Sequence, residues 1–107
     1  FSADSGSLAI SAIVFHELHV GVMRSYAPER HLAELEAFLP GVAVIEFDEN
    51  AALHAARIKA DLMTVGNLIG PNDLLIAGHA RSLGLKLITG NLKEFNRVEG
   101  LICEDWL

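Results

Sequence analysis

Two acidic side chains stand where helices should be apolar. Asp73 follows Gly70 and Pro71 at the head of "LIGPNDLLIAGHARSLG", and it is followed at helical spacing by Ile76, Ala77 and Ala80. Those residues share one face of a helix, so the carboxylate opens a buried stripe, where an unpaired charge is costly. Glu17 repeats the pattern: in "SLAISAIVFHELHVGVM" it stands between Ile13 and Val14 on one side and Val20 and Gly21 on the other. Each acid has a plain alternative. An Asp in a first turn is favoured by free backbone N–H groups and the positive end of the helix dipole. A Glu at the rim of an apolar face can be solvated or paired with Arg24. Taken together, two inward-facing acids soon after a strand or loop form a donor set for Mg2+ or Mn2+, hard cations that take oxygen ligands and keep several waters. Such an ion orients a water, helps to deprotonate it, and neutralises charge developing on a phosphate.

The elements that must position these acids can be read from the hydrophobic periodicity. Leu8 to Ala12 is a short β-like run that gives way to helical spacing at Ile13, Val14 and Leu18, and Ser11 can cap the turn between them. "APERHLAELEAFLPG" predicts a helix with Pro28 near its first turn and a stripe at Leu32, Leu35 and Leu39, stopped by Pro40 and Gly41. "VAVIEF" predicts a strand. Asp48 then caps a long helix whose inner face is Ala51, Ala55, Ile58, Leu62 and Val65, ending at Gly66. The Asp73 helix ends at Gly84, a natural C-cap residue. "LKLIT" predicts another strand, "GNLKEF" turns away from its end, and "GLICEDWL" closes with one more. Strands alternating with helices imply an α/β layered domain with a largely parallel sheet, spanning 1–107 as one unit. In such sheets ligand sites gather beyond the carboxyl ends of the strands, where Thr89, Gly90 and Asn91 lie.

The bulk numbers fit one globular domain. The chain has 107 residues, 51% of them hydrophobic, with three prolines, enough to bury a real core. It begins with Phe1 rather than Met, so further residues upstream are expected. No apolar run approaches a membrane span, and one cysteine, Cys103, fits a reducing cytosol; a small buried hydrophobe is its expected role. A net charge of −6 argues against a protein that coats nucleic acid without specificity. Other chemistries find no support. His16, His19, His31, His54 and His79 lack zinc-like spacing, and most of them read as surface or half-buried residues. There is no phosphate-cradling P-loop, nucleophile elbow or dinucleotide fingerprint. Trp106 reads as packing.

The runs "ISAIVFHELHVGV" and "IGPNDLLIAGHARSLGLKLITGNLKEFNRVEGL.CEDW" resemble the PIN-domain ribonucleases of the VapC toxin type, and the likeness covers essentially the whole chain from Leu8. The second motif is specific: Gly-Pro-x-Asp, an Ala-x-His-Ala helix, a strand ending in Thr-x-Asn, then Glu-Phe. The resemblance implies a PIN-like three-layer domain, a mainly parallel central sheet flanked by helices. It implies a type II toxin that hydrolyses phosphodiester bonds in RNA, tRNA among the targets, with Mg2+ or Mn2+. It also implies a cognate VapB-like antitoxin, a homodimer, no membrane, and a cytoplasmic location. Glu17 and Asp73 are then the metal ligands, with the helix dipole helping to keep Asp73 ionised. Asn91 falls where a further Asp or Asn lies and would orient water or substrate, with Glu94 an extra acid close by. The acidic net charge is compatible with this activity if basic residues such as Arg24, Arg81, Lys93 and Arg97 border the site.

One departure concerns the amino terminus. The family opens on a strand ending "LDTN", whose Asp is a central metal ligand. That strand has no counterpart here, and Asp4, in "FSADSG", reads as loop. The domain is therefore expected to be N-terminally incomplete, which keeps a second reading open: a catalytically incomplete PIN-like domain that serves as a protein-interaction module. A receiver-type phosphoacceptor domain ranks third, since the acidic pair at a first strand and the later Lys that it needs are not found.

Overall fold

A computed structural model describes residues 8–105, so Asp4 and Trp106 lie outside the described residues, as does any strand preceding them. In chain order the elements are β1 (Ala9–Ser11), α1 (Ala12–Met23), α2 (Pro28–Phe38), a 3-10 turn (Leu39–Gly41), β2 (Ala43–Ile45), α3 (Glu49–Thr64), α4 (Pro71–Leu83), β3 (Leu87–Thr89), α5 (Leu92–Phe95) and β4 (Cys103–Asp105).

The strands form two parallel pairs. β1 runs beside β2, with Ala9 opposite Ala43 and Ser11 opposite Ile45. β3 runs beside β4, with Leu87 opposite Cys103 and Thr89 opposite Asp105. The α/β class and the parallel direction are as expected from sequence. Among the described residues the strands make two two-stranded ladders, β1–β2 and β3–β4. The strands are also shorter than their apolar runs: Val42, Glu46 and Phe47 lie outside β2, and Leu85 and Lys86 lie outside β3. Each pair is joined through helical crossovers, as parallel strands require, and β1 and β3 both release the chain toward the same chemistry: α1 with Glu17 after β1, Asn91 and Glu94 after β3.

Local signals set the helix ends. Ser11 caps α1, its Oγ accepting from the Ile13 N–H at 3.0 Å. Asp48 caps α3 by accepting from the Ala51 N–H at 2.9 Å. Gly84 closes α4 in the left-handed region, φ 66°, its N–H turned back to the Ala80 and Arg81 carbonyls. The inner face of α3 is Ala51, Ala55, Ile58 and Leu62. Val65 departs from expectation: it is 70% exposed, because the helix ends at Thr64 before its stripe completes another turn. The α2 stripe is shallower than its pattern suggests, and no residue of that helix is fully buried.

The core lies between α3, α4 and the second strand pair. Ile58, Leu62, Ile69, Leu74, Ile76, Leu87, Phe95 and Val98 fill it. Large aliphatic side chains removed from water in this way contribute roughly 1.5–3 kcal/mol each. α4 is buried over most of its length, from Leu74 to Ala80 with Leu75 excepted. It sits so close to α3 that a Cβ on Gly78 would stand 2.5 Å from the Ala55 nitrogen and 2.7 Å from the Ala55 Cβ.

That contact is backbone against backbone, so relief requires the helices to part. Gly78→Ala is expected to destabilise the domain by about 1–3 kcal/mol, read as a lower midpoint in thermal unfolding. Gly21, exposed in α1 with nothing within 4 Å of its hypothetical Cβ, is the control. There Ala should be neutral or stabilising by up to about 1 kcal/mol. Equal effects at the two positions would refute the close-approach account.

Candidate active site

Asp73 occupies the first turn of α4, behind Gly70 as N-cap and Pro71 at the first helical position. Gly70 offers no side chain to cap the helix, so its own N–H needs a partner. Glu94 supplies it. From α5, Glu94 Oε1 accepts from the Gly70 N–H at 2.6 Å, and Oε2 accepts from the Asn91 side-chain amide at 2.6 Å. The Asn91 backbone N–H is held in turn by Thr89 Oγ1, at the end of β3, at 3.0 Å. The carboxylates of Asp73 and Glu94 fold over Gly70, standing 3.5 and 3.6 Å from where its Cβ would be. Glu17, half-buried on α1, faces Asp73 closely enough to act on it electrostatically. The structure thus gathers all four residues singled out in the sequence, from three separate elements.

The electrostatics divide the acids. Asp73 is pushed up from the ordinary Asp value, first by burial, then by the negative charges of Glu94 and Glu17. The helix dipole was expected to keep Asp73 ionised, and the direction is the opposite: desolvation and two neighbouring carboxylates outweigh it. Glu94 is held below the ordinary Glu value, chiefly by the Gly70 N–H and then by the Asn91 amide, with the Asp73 hydrogen bond and the positive charge of Arg97 adding to them. Of the two acids, Asp73 holds a proton more tightly and Glu94 gives one up more readily.

This is a concentration of negative charge. Among the described residues no group of three or more His, Cys, Asp or Glu side chains is placed to cage a metal ion. The arrangement is instead open, a touching pair with Glu17 opposite. It fits a cation that takes one or two carboxylates and keeps the rest of its shell for water and substrate, as Mg2+ does.

Some expectations need correction. Arg81 does not border this site. Its guanidinium donates to His54 Nδ1 at 3.0 Å and to the Glu99 carbonyl at 3.0 Å, in a separate hollow of about 350 Å³ between α3 and the segment after α5. Arg97 lines the same hollow and donates to the Leu68 carbonyl at 3.2 Å while still reaching Glu94 electrostatically. His79 is not a surface residue; it is 1% exposed. The Asn91 amide is committed to Glu94, which leaves its carbonyl oxygen as the group for water or substrate. Sequence reasoning also missed the Gly70 N–H as the partner that fixes Glu94. The only signal for it was a glycine at a helix cap with no side chain to do the capping.

The raised Asp73 value has a signed consequence. The folded chain holds this proton to higher pH than the unfolded chain does, so stability falls as pH rises from the ordinary Asp value through the raised one. In metal-free buffer Asp73→Asn, which keeps a donor toward Glu94, should raise the thermal midpoint at pH 7 by a few degrees, an advantage that shrinks as the buffer is acidified through that window. A less stable variant at neutral pH would mean that the helix dipole prevails after all.

A PIN domain family pattern matches residues 1–101. The chain is 43% identical over 106 residues to the tRNA(fMet)-specific endonuclease VapC of Salmonella typhimurium, covering 99% of this chain and 80% of that protein. It is 42% identical over 107 residues to ribonuclease VapC2 of Haemophilus influenzae, covering 100% of this chain and 81% of that one. The fold is similar to the crystal structure of DNA-bound VapBC from Salmonella typhimurium, with a TM-score of 0.89 and 45% identity over 92% of this chain and 75% of that one. It is also similar to VapBC2 from Rickettsia felis bound to a DNA fragment from their promoter, with a TM-score of 0.91 and 39% identity over 94% of this chain and 76% of that one.

Proposed function

The chain belongs to the PIN domain family, and from that premise we propose that it is a Mg2+- or Mn2+-dependent endoribonuclease, the toxin of a toxin–antitoxin pair. The observation that carries the metal-dependent part of this reading is the Asp73–Glu94 pair facing Glu17. These carboxylates raise the proton affinity of Asp73, so they also favour any cation that can replace the proton. The proposed substrate is tRNA, on which the Salmonella relative's name says it acts. The proposed inhibitor is a VapB-like antitoxin, in line with the VapBC complexes of similar fold.

Glu17 and Asp73 would hold the ion, with Glu94 at their side. When bound, the ion supplies polarisation of a water and neutralisation of charge on the scissile phosphate. The remaining work falls to the chain. Glu94 is ionised at neutral pH and pinned to the head of α4 by the Gly70 N–H, so it can take a proton from an attacking water without drifting. Asn91 keeps Glu94 in place through its amide and presents its carbonyl oxygen to water or substrate. Arg97, within electrostatic reach of Glu94, stands where an RNA phosphate could be met.

α1 keeps Phe15, Leu18, Val20 and Met23 exposed, apolar surface of the kind that protein partners cover, whether antitoxin or a second copy. Among the described residues no helix is long and apolar enough to cross a membrane, and a cytoplasmic location is proposed with the tRNA substrate. The open carboxylate set favours one second reading: a PIN domain that binds its partner without cutting RNA.

The two readings separate in one assay. Purified protein freed of antitoxin should cleave tRNA with Mg2+ or Mn2+ present, lose that activity in EDTA, and lose it by at least about a hundredfold, or about 2.7 kcal/mol of transition-state stabilisation, in Asp73→Asn. Antitoxin binding should survive that substitution. Cleavage that persists in EDTA would sink the metal-dependent mechanism, and a folded, antitoxin-binding protein with no metal-dependent cleavage would establish the interaction-only reading.

A further inference from the structure

Away from the carboxylates, a second polar pair lies wholly inside the molecule. Ser11 is 0% exposed and His79 is 1% exposed. The Ser11 hydroxyl and His79 Nδ1 are 2.8 Å apart, across 68 positions of sequence. Burying such a pair is favourable only when its hydrogen bonds are well formed, so the two helices that carry it must meet in one arrangement.

The donors and acceptors fit together. Ser11 Oγ accepts from the Ile13 N–H, which ties it to the first turn of α1. The Glu46 main-chain carbonyl lies close enough to the His79 ring to favour its protonated form, but less than burial disfavours it. With Nδ1 unprotonated, the ring accepts the Ser11 hydroxyl hydrogen, while the same oxygen accepts from the Ile13 N–H. Burial lowers the ring's proton affinity, against the pull of Asp48, which keeps it neutral. The Phe47 ring meets it edge-on at 5.4 Å and limits its tilt.

The placement along the helices matters most. Glu17 lies six residues beyond Ser11 on α1, and Asp73 lies six residues before His79 on α4. At 1.5 Å per residue each carboxylate is about 9 Å along its helix axis from the bond that joins the two helices. We infer that the buried Ser11–His79 hydrogen bond is a strut that sets the spacing of α1 against α4, and that His79 and Ser11 are thereby positioning residues for the Glu17–Asp73 pair. The inference rests on the metal-dependent reading above. A slip of α1 along α4 stretches a 2.8 Å bond past hydrogen-bonding range and shifts Glu17 relative to Asp73.

The test is Mn2+ affinity of the full-length protein, read from the electron paramagnetic resonance signal of the free ion. His79→Leu removes the acceptor, and His79→Asn keeps an amide near the place of Nδ1. The leucine variant should bind Mn2+ about tenfold or more weakly, in the range seen when groups supporting metal ligands are lost. The asparagine variant should recover most of that loss. RNA cleavage by His79→Leu should be restored by raising Mn2+, whereas Asp73→Asn should not be restored, which a merely structural role for His79 does not predict. A folded His79→Leu that binds Mn2+ as tightly as the parent overturns the strut alone; unchanged affinity in Asp73→Asn overturns the metal reading and the strut together. Should His79→Leu fail to fold, Ser11→Ala against Ser11→Thr decides. Weaker binding in the first and parent-like binding in the second support the strut, and equal affinities overturn it.

Discussion

Everything placed on α4 inherits its position from the backbone approach of Gly78 to Ala55. Two helices carrying ordinary aliphatic side chains pack with axes about 8–10 Å apart, and small residues at the crossing let them come nearer. Ala51 and Ala55 on α3 meet Ala77 and Gly78 on α4, all buried. With no long side chain at the crossing, there is little that can change rotamer and let α4 slide. The larger residues, Ile58, Leu62, Leu74 and Ile76, then fill the space on either side of the crossing. α4 is thereby a fixed bar with a carboxylate at its head, a histidine at its middle and an arginine in its last turn, and each of these reaches a different part of the chain.

The head of that bar bears an unfavourable arrangement. Glu94 and Glu17 both repel charge on Asp73, which is also partly desolvated. A chain selected for stability alone would place Asn or Ser at such a helix start, keeping the capping and dipole benefits without the charge. Glu94 shows how the arrangement is kept from falling apart. Its two oxygens are each met by a donor at 2.6 Å, one from Gly70 and one from Asn91. These charge-assisted bonds are stronger than neutral ones, and they hold one acid ionised so that the other takes the proton. Stability given up at a cluster of like charges, with dedicated donors to hold it, is what a site for a counter-ion requires.

What could be read from the sequence was what local chemistry dictates. The caps at Ser11, Asp48 and Gly84, the α3 stripe from Ala51 to Leu62 and the parallel direction of the strands all follow from short-range rules, and the structure bears them out. Asp73 and Glu17 stood out because each breaks an apolar pattern. What escaped was set by contacts between distant residues. The strands stop short of their apolar runs because pairing partners, not propensity, end a ladder. The sign of the Asp73 shift depends on Glu94, 21 residues on, and on Glu17 in another helix; a helix-start rule sees neither.

His79 is the clearest case of an ambiguous residue made definite by its neighbours. In "IAGHARS" it sits between Gly78 and Ala80 and could belong to either side of the helix. A histidine is also equally at home on a surface and inside. Only the arrival of Ser11, Phe47 and the Glu46 carbonyl around one ring makes burial tolerable, and they come from β1 and from the segment between β2 and α3. The buried ring in turn restricts those segments, because an imidazole without its partners would carry the full cost of desolvation. A residue with no pattern of its own in the sequence is thus the point where β1, α1, α4 and the β2–α3 connection must agree. Agreement there is inherited by Glu17 and Asp73 through rigid helix, a more exact way to hold two carboxylates apart than any pair of loops provides.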